Sequence, residues 1–260
     1  MNRIAFLACR ILSLLFVLGV STAQAHYLWL NADDYRPVAK NLPLFSVGWG
    51  HNFYSPVGDI LTDHEMLAEV SLIEPNGKKM ALDRVNGFQY QANHQYAPGV
   101  YLAATGIKER FSTKTEEGYK SQSKKGLSNV LSSRYLGMYA KAIINVGETG
   151  EAANLSVPLG TALEVVPLSN PATLRAGDFF RFTLLYQGKP LAEEMNATYA
   201  GFSPHNAWPY TCRTDKDGLG AVRILQPGVW VIKANHKAPY PNPEEADEYS
   251  YTASLTFEVR

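Results

Sequence analysis

Between residues 162 and 259 the chain is cut into short apolar or alternating runs by turn-forming residues, and few conformations other than antiparallel β-structure suit that punctuation. The runs are 162–168, 179–186, 196–202, 220–225, 229–234 and 251–259. Arg175-Ala176-Gly177-Asp178, Gln187-Gly188-Lys189-Pro190 and Asp215-Lys216-Asp217-Gly218 supply turn chemistry between them. The last is similar to a fragment of a calcium loop, but it lacks the remaining oxygen ligands and the terminal Glu, so a hairpin turn is expected there. Strands at this spacing predict an antiparallel sandwich of immunoglobulin-like or transthyretin-like type.

The first half reads the same way. Leu42 to Trp49 is apolar, Met66 to Ile73 alternates, and Pro75-Asn76-Gly77 turns the chain into Lys78 to Leu82, which predicts a hairpin. Pro98-Gly99 launches a strand from Val100 to Thr105, and Tyr139 to Val146 forms another. Lys108 to Ser133, rich in Lys, Ser, Thr and Gly with little periodicity, is expected to be a long surface excursion with a short helix near 127–131. Composition resets around Gly147 to Pro158, which predicts a linker. The expectation is an all-β protein of two antiparallel sandwich domains, 26–150 and 158–260.

Ahead of these domains, Arg3 and Arg10 accompany an apolar run from Ile11 to Val20, and Ala23-Gln24-Ala25 follows. That is the pattern of a secretory signal peptide over 1–25, cleaved after Ala25, and it predicts a periplasmic protein. The apolar run is too short to span a bilayer comfortably, and no later segment approaches the ~18 apolar residues a spanning helix needs. Cleavage would remove two arginines and leave 22 basic against 24 acidic side chains, a balance that favours neither nucleic acid nor an anionic membrane surface. Cys212 would then be the one cysteine left, so no internal disulfide is available.

The predicted cut makes His26 the first residue of the mature chain. A terminal histidine offers an α-amine titrating near pH ~8 and an imidazole near ~6.5, and the two can chelate one transition-metal ion. His51, in Gly48-Trp49-Gly50-His51, and His236, just beyond the apolar run Val229 to Ala234, stand at strand ends where loops of a sandwich converge. His205 sits in a loop between Pro204 and Pro209. His64 and His94 have polar neighbours and are expected to be solvated. No pair has the i, i+4 spacing of a helix-borne zinc site, so a site built from these residues draws on distant segments. Cys212 beside Arg213 lacks a partner histidine signature and reads as inert, and there is no Gly-x-Ser-x-Gly elbow.

Several segments together resemble a known family, the periplasmic proteins of the domain of unknown function 4198 type, related to the periplasmic component of nickel and cobalt uptake systems. They are Ala25 to Leu30, Val47-Gly48-Trp49-Gly50-His51, Pro98-Gly99-Val100-Tyr101 and Tyr139 to Ala142, then Thr214 to Gly218, Gly228-Val229-Trp230 and Tyr251 to Val259. The resemblance implies an exported two-sandwich protein that binds a divalent transition metal, nickel or cobalt, and supplies it to a membrane metal transporter; the reading preferred on the residues is non-enzymatic, and nitrogen donors also suit copper or zinc. Carried over position by position, it places His26, His51 and His236 in the metal site; His205 enters from the residues alone. Two alternatives stand beside it: a histidine-brace copper oxygenase, and a metal-free carbohydrate-binding or adhesion module using aromatics such as Trp208 and Tyr210.

Overall fold

The computed structural model describes residues 26–38, 43–54, 61, 63–93, 95–147, 152–203 and 205–260. The expected leader with its cleavage site, His94, and residues 148–151 of the expected linker lie outside the described residues.

In chain order the strands are β1 (Tyr27–Ala32), β2 (Phe45–Gly50), β3 (Ser71–Ile73), β4 (Lys79–Ala81), β5 (Asp83–Asn86), β6 (Gln89–Gln91), β7 (Gly99–Thr115), β8 (Gly118–Lys120) and β9 (Val130–Val146). There follow β10 (Leu163–Pro167), β11 (Phe179–Tyr186), β12 (Lys189–Pro190), β13 (Glu194–Tyr199), β14 (Tyr210–Arg213), β15 (Leu219–Arg223), β16 (Gly228–Pro239) and β17 (Glu248–Val259). The chain is all-β as expected, and the helices among the described residues are single 3-10 turns.

A nine-stranded central sheet runs β14-β13-β16-β17-β9-β7-β3-β4, with β8 beside β7. One small sheet, β1-β2-β6-β5, packs on one face, and another, β10-β11-β12 with β15 on β11, packs on the other. Side-chain alternation feeds both layers from the same strands. Along β9, Ile143 enters the core under β10 and β11, while Ala142 and Ile144 enter the core under β1 and β2. Leu102 and Ala103 of β7 divide in the same way. In β17, Tyr251, Ala253, Leu255 and Phe257 point to the β11 side, where Phe257 stacks on Phe180 at 4.1 Å.

The opposite face of β17 is polar, and it has a use. β1 is an edge strand, and its outer carbonyls would be buried without partners. Ser254 donates to Leu28 O at 2.6 Å, and Thr256 donates to Leu30 O. The side chains of one strand thus complete the backbone bonding of another that crosses it.

The central sheet takes β3, β4, β7, β8 and β9 from the expected first domain and β13, β14, β16 and β17 from the second. The seam is parallel: β17 pairs β9 from Glu248↔Arg134 to Thr256↔Ala142, although every other strand pair among the described residues is antiparallel.

Two expectations are corrected. The expected excursion at 108–133 is mostly strand, because β7 and β9 pair from Gly99↔Val146 to Thr115↔Val130 and no helix forms at 127–131. Its outer end is only partly buried, and the side chains it does bury, Thr113, Thr115 and Ser133, are polar, so no apolar period marks it in the sequence. The Asp215–Gly218 turn, expected to close a hairpin, instead carries the chain from β14 in the central sheet to β15 in the small one. Asp215 Oδ1 accepts from the backbone N–H groups of Asp217 and Leu219 at 2.9 Å each, which fixes the turn.

Candidate functional site

The register of β1 on β2 sets Tyr27 opposite Gly50, so the next pair outward is His26 and His51. Their ring centroids are 4.2 Å apart with the planes tilted by 34°, and the Trp49 ring lies 3.9 Å from that of His26. Both histidines are half-buried. The glycines around Trp49 are packing devices. A Cβ on Gly48 would lie 2.2 Å from Cε2 of Trp29, so only glycine lets the indole lie across β2. Gly50 has φ of 147°, a conformation that side-chain-bearing residues rarely adopt. Glycines opposite Tyr27 and Trp29 therefore admit those large rings on one face of the strand pair and leave Trp49 and His51 on the other.

Behind the pair is a buried amine. Lys233 is only 7 % exposed, and its Nζ lies 4.7 Å from the Tyr27 ring centroid and 4.3 Å from that of Trp208. Both aromatic faces attract the cation, but no carboxylate pairs with it among the described residues. Burial lowers its pKa from the usual lysine value to about 8, and burial also raises the Tyr27 phenol. Sequence reasoning missed this lysine; the signal is a lone charge inside the apolar run Val229 to Ala234.

His205 is exposed in the loop leading to β14, its backbone N–H donating to Ser203 Oγ at 3.1 Å. Trp208 is held in the same loop by its Nε1–H donating to Asn206 Oδ1 at 2.7 Å. His51, His205, Tyr27 and Trp208 line one crevice of about 10 Å³, the size of a single water or ion.

His236 is not brought to this group. Lys233 and His236 are of opposite parity on β16, so they point to opposite faces of the central sheet. The His236 ring packs 4.5 Å from Tyr186 of β11, and its Nδ1 lies 3.0 Å from Glu193 Oε2, where an N–H donates to the carboxylate. His64, expected to be solvated, is half-buried and stacks on Phe88 at 3.8 Å. Cys212 is half-buried, and burial pushes its thiol pKa up, which suits an inert side chain.

Among the described residues, no group of three or more His, Cys, Asp or Glu side chains could hold a metal ion. His26 and His51 provide two imidazoles. The main-chain amine of His26, which exists only if the chain begins there, would be a third nitrogen from the same two residues, and His205 lies on the crevice that His51 lines.

The family model described as "Domain of unknown function (DUF4198)" matches residues 23–238. No curated protein sequence is detectably similar. Among solved structures, fibronectin(III)-like modules of Clostridium thermocellum CbhA align at 10 % identity over 89 % of this chain and 94 % of that one, with a TM-score of 0.23. The D0-D1 domain of Intimin aligns at 11 % identity over 88 % and 96 %, also at 0.23. Murine CEACAM1b aligns at 8 % identity over 90 % and 98 %, again at 0.23. Superpositions this loose lend nothing to a functional argument.

Proposed function

Since the chain belongs to the DUF4198 family, we propose that it is an exported, non-enzymatic protein that binds nickel or cobalt through His26 and His51 and passes the ion to a membrane transporter. The observation that carries this reading is the pairing of two histidines, 25 residues apart in sequence, at a 4.2 Å ring separation. Processing after Ala25 would add the His26 amine and give three nitrogen donors from two residues. His205, on the same crevice as His51, is the candidate for a further donor, and His236 has no part in it. Nitrogen sets of this kind suit nickel, cobalt, copper and zinc, with copper favoured on affinity alone, so selectivity for nickel or cobalt rests on geometry and supply.

The test compares chain beginning at His26 with chain carrying one extra residue before it, each titrated calorimetrically with Ni²⁺, Co²⁺ and Cu²⁺. Loss of the chelating amine should weaken binding by at least about tenfold, His51→Ala should do the same, and affinity should fall with pH as protons compete for the lone pairs. Equal affinity in all three forms would end this reading. The same donor set supports a copper oxygenase; peroxide formation by the copper-loaded, reduced protein would favour that alternative.

A further inference from the structure

On the β11 side of the central sheet, beyond the edge of the small sheet, two rows of residues cross four strands. Phe111, Tyr135, Tyr249 and Ala238 form one row by direct pairing of β7, β9, β17 and β16. Gly137, Tyr251 and His236 form the next. The register of β7 on β9 shifts between Ile107 and Arg110, and this bulge sets Glu109 above Gly137. There Glu109 accepts from the hydroxyl of Tyr139 and, at 3.3 Å, from that of Tyr251. A Cβ on Gly137 would stand 2.8 Å from Tyr139 Oη and 3.0 Å from Glu109 Cγ, so the glycine is what lets carboxylate and phenol meet.

The result is an aromatic floor, partly exposed at Tyr135, Tyr240 and Tyr249 and buried at Tyr251, with a carboxylate over it. Tyr249 stacks on Tyr251 at 5.5 Å and meets Tyr240 at 4.9 Å, while Tyr186 closes the side at 6.1 Å from Tyr251. Glu109 has no cationic partner among the described residues, its contacts being the two phenols. Burial first, and then the charge of Glu109, pushes up the pKa of Tyr135 and Tyr251, so the negative field extends across the floor. Glu109 and Tyr139 also line a crevice of about 550 Å³ between β7 and the segment 154–161, together with Leu159, Lys108 and Lys79, whose amine is held by Glu69 at 3.2 Å.

We propose that this face binds an organic cation with a methylated or quaternary ammonium group, seated on the tyrosine rings with Glu109 as counter-charge and the rest of the molecule in the crevice. Aromatic faces attract such cations, which shed water easily, and an unmatched carboxylate supplies the charge they need. A sugar ring would use the floor but not the charge. The site is on the opposite face of the sheet from His26 and His51, so its test is independent of metal binding.

The test is calorimetric titration of the metal-free chain with choline and with 3,3-dimethyl-1-butanol, its neutral isostere. Saturable choline binding, weakened by at least about tenfold in the isostere and in Glu109→Gln, is the expected result. The isostere comparison needs no variant, and the thermal melt of Glu109→Gln reports whether it folds. Absence of saturable choline binding, equal binding of the isostere, or binding of a cello-oligosaccharide in place of choline would each overturn the proposal.

Discussion

Lys233 is a cation enclosed by two aromatic rings and short of a counter-charge, so its protonation works against the fold. Its pKa is about 8 in the folded chain against 10.5 for an ordinary lysine. Between those values the unfolded chain binds more protons, so this contribution to stability is complete above the ordinary value and is lost as pH falls through about 8. The buried phenols of Tyr27, Tyr35 and Tyr96, all raised by burial, oppose it only above pH ~10, where the unfolded tyrosines ionise. Unfolding free energy should therefore rise by about 2 kcal/mol from pH ~7.5 to ~9.5, and Lys233→Met should flatten that rise. An unchanged slope in urea titrations of the variant would show that the amine is not the source. At this scale the sequence was partly legible. Two histidines flanking a strand pair could be read as partners, but His236 could not be excluded, because sequence gives the alternation along β16 without saying which layer covers which face.

β1 depends on a strand with which it shares no ladder. Its outer carbonyls at Leu28 and Leu30 are met by Ser254 and Thr256, and the four residues lie in the buried layer between the two sheets. Ser254→Ala and Thr256→Val each remove one donor and leave a buried acceptor short, at about 1 kcal/mol apiece; together they should lower the unfolding free energy by about 2 kcal/mol. Metal affinity should fall with it, since His26 sits at the head of β1; full stability in the double variant would mean that water replaces the hydroxyls. The serine and threonine positions alternate with Tyr251, Ala253, Leu255 and Phe257, so β17 was legible as a strand, but nothing in the alternation says that its polar face is buried. The outer ends of β7 and β9 were missed for a related reason: they are true strands, but what they bury is threonine and serine, so no apolar period announces them. The bulge that aims Glu109 lies in that stretch and was hidden with it.

Across the whole molecule, one buried ion pair ties the layers. Lys141 of β9 is paired with Glu164 of β10, both nearly inaccessible to solvent, and it also donates to Val165 O at 3.1 Å. Glu164 in turn accepts the backbone N–H groups of Leu159 and Gly160. Burial outweighs the attraction of Glu164 and lowers the Lys141 pKa. Lys141→Met should cost about 3–5 kcal/mol by stranding a charge, and Lys141→Met with Glu164→Gln should recover much of that loss. Equal destabilisation in the single and double variants, read from denaturant midpoints, would deny the coupling. The parallel seam between β9 and β17 has a further bearing on how the molecule comes to exist. β17 lies between β9 and β16 in the sheet yet is made after both, and its partners on β9 lie more than a hundred positions earlier. The β7–β9 hairpin is local and can form as it emerges, but it must then wait with a bare edge until β17 arrives to join the halves. If the chain is exported unfolded through a membrane pore, as proposed, that delay would keep the sheet open until passage is almost complete.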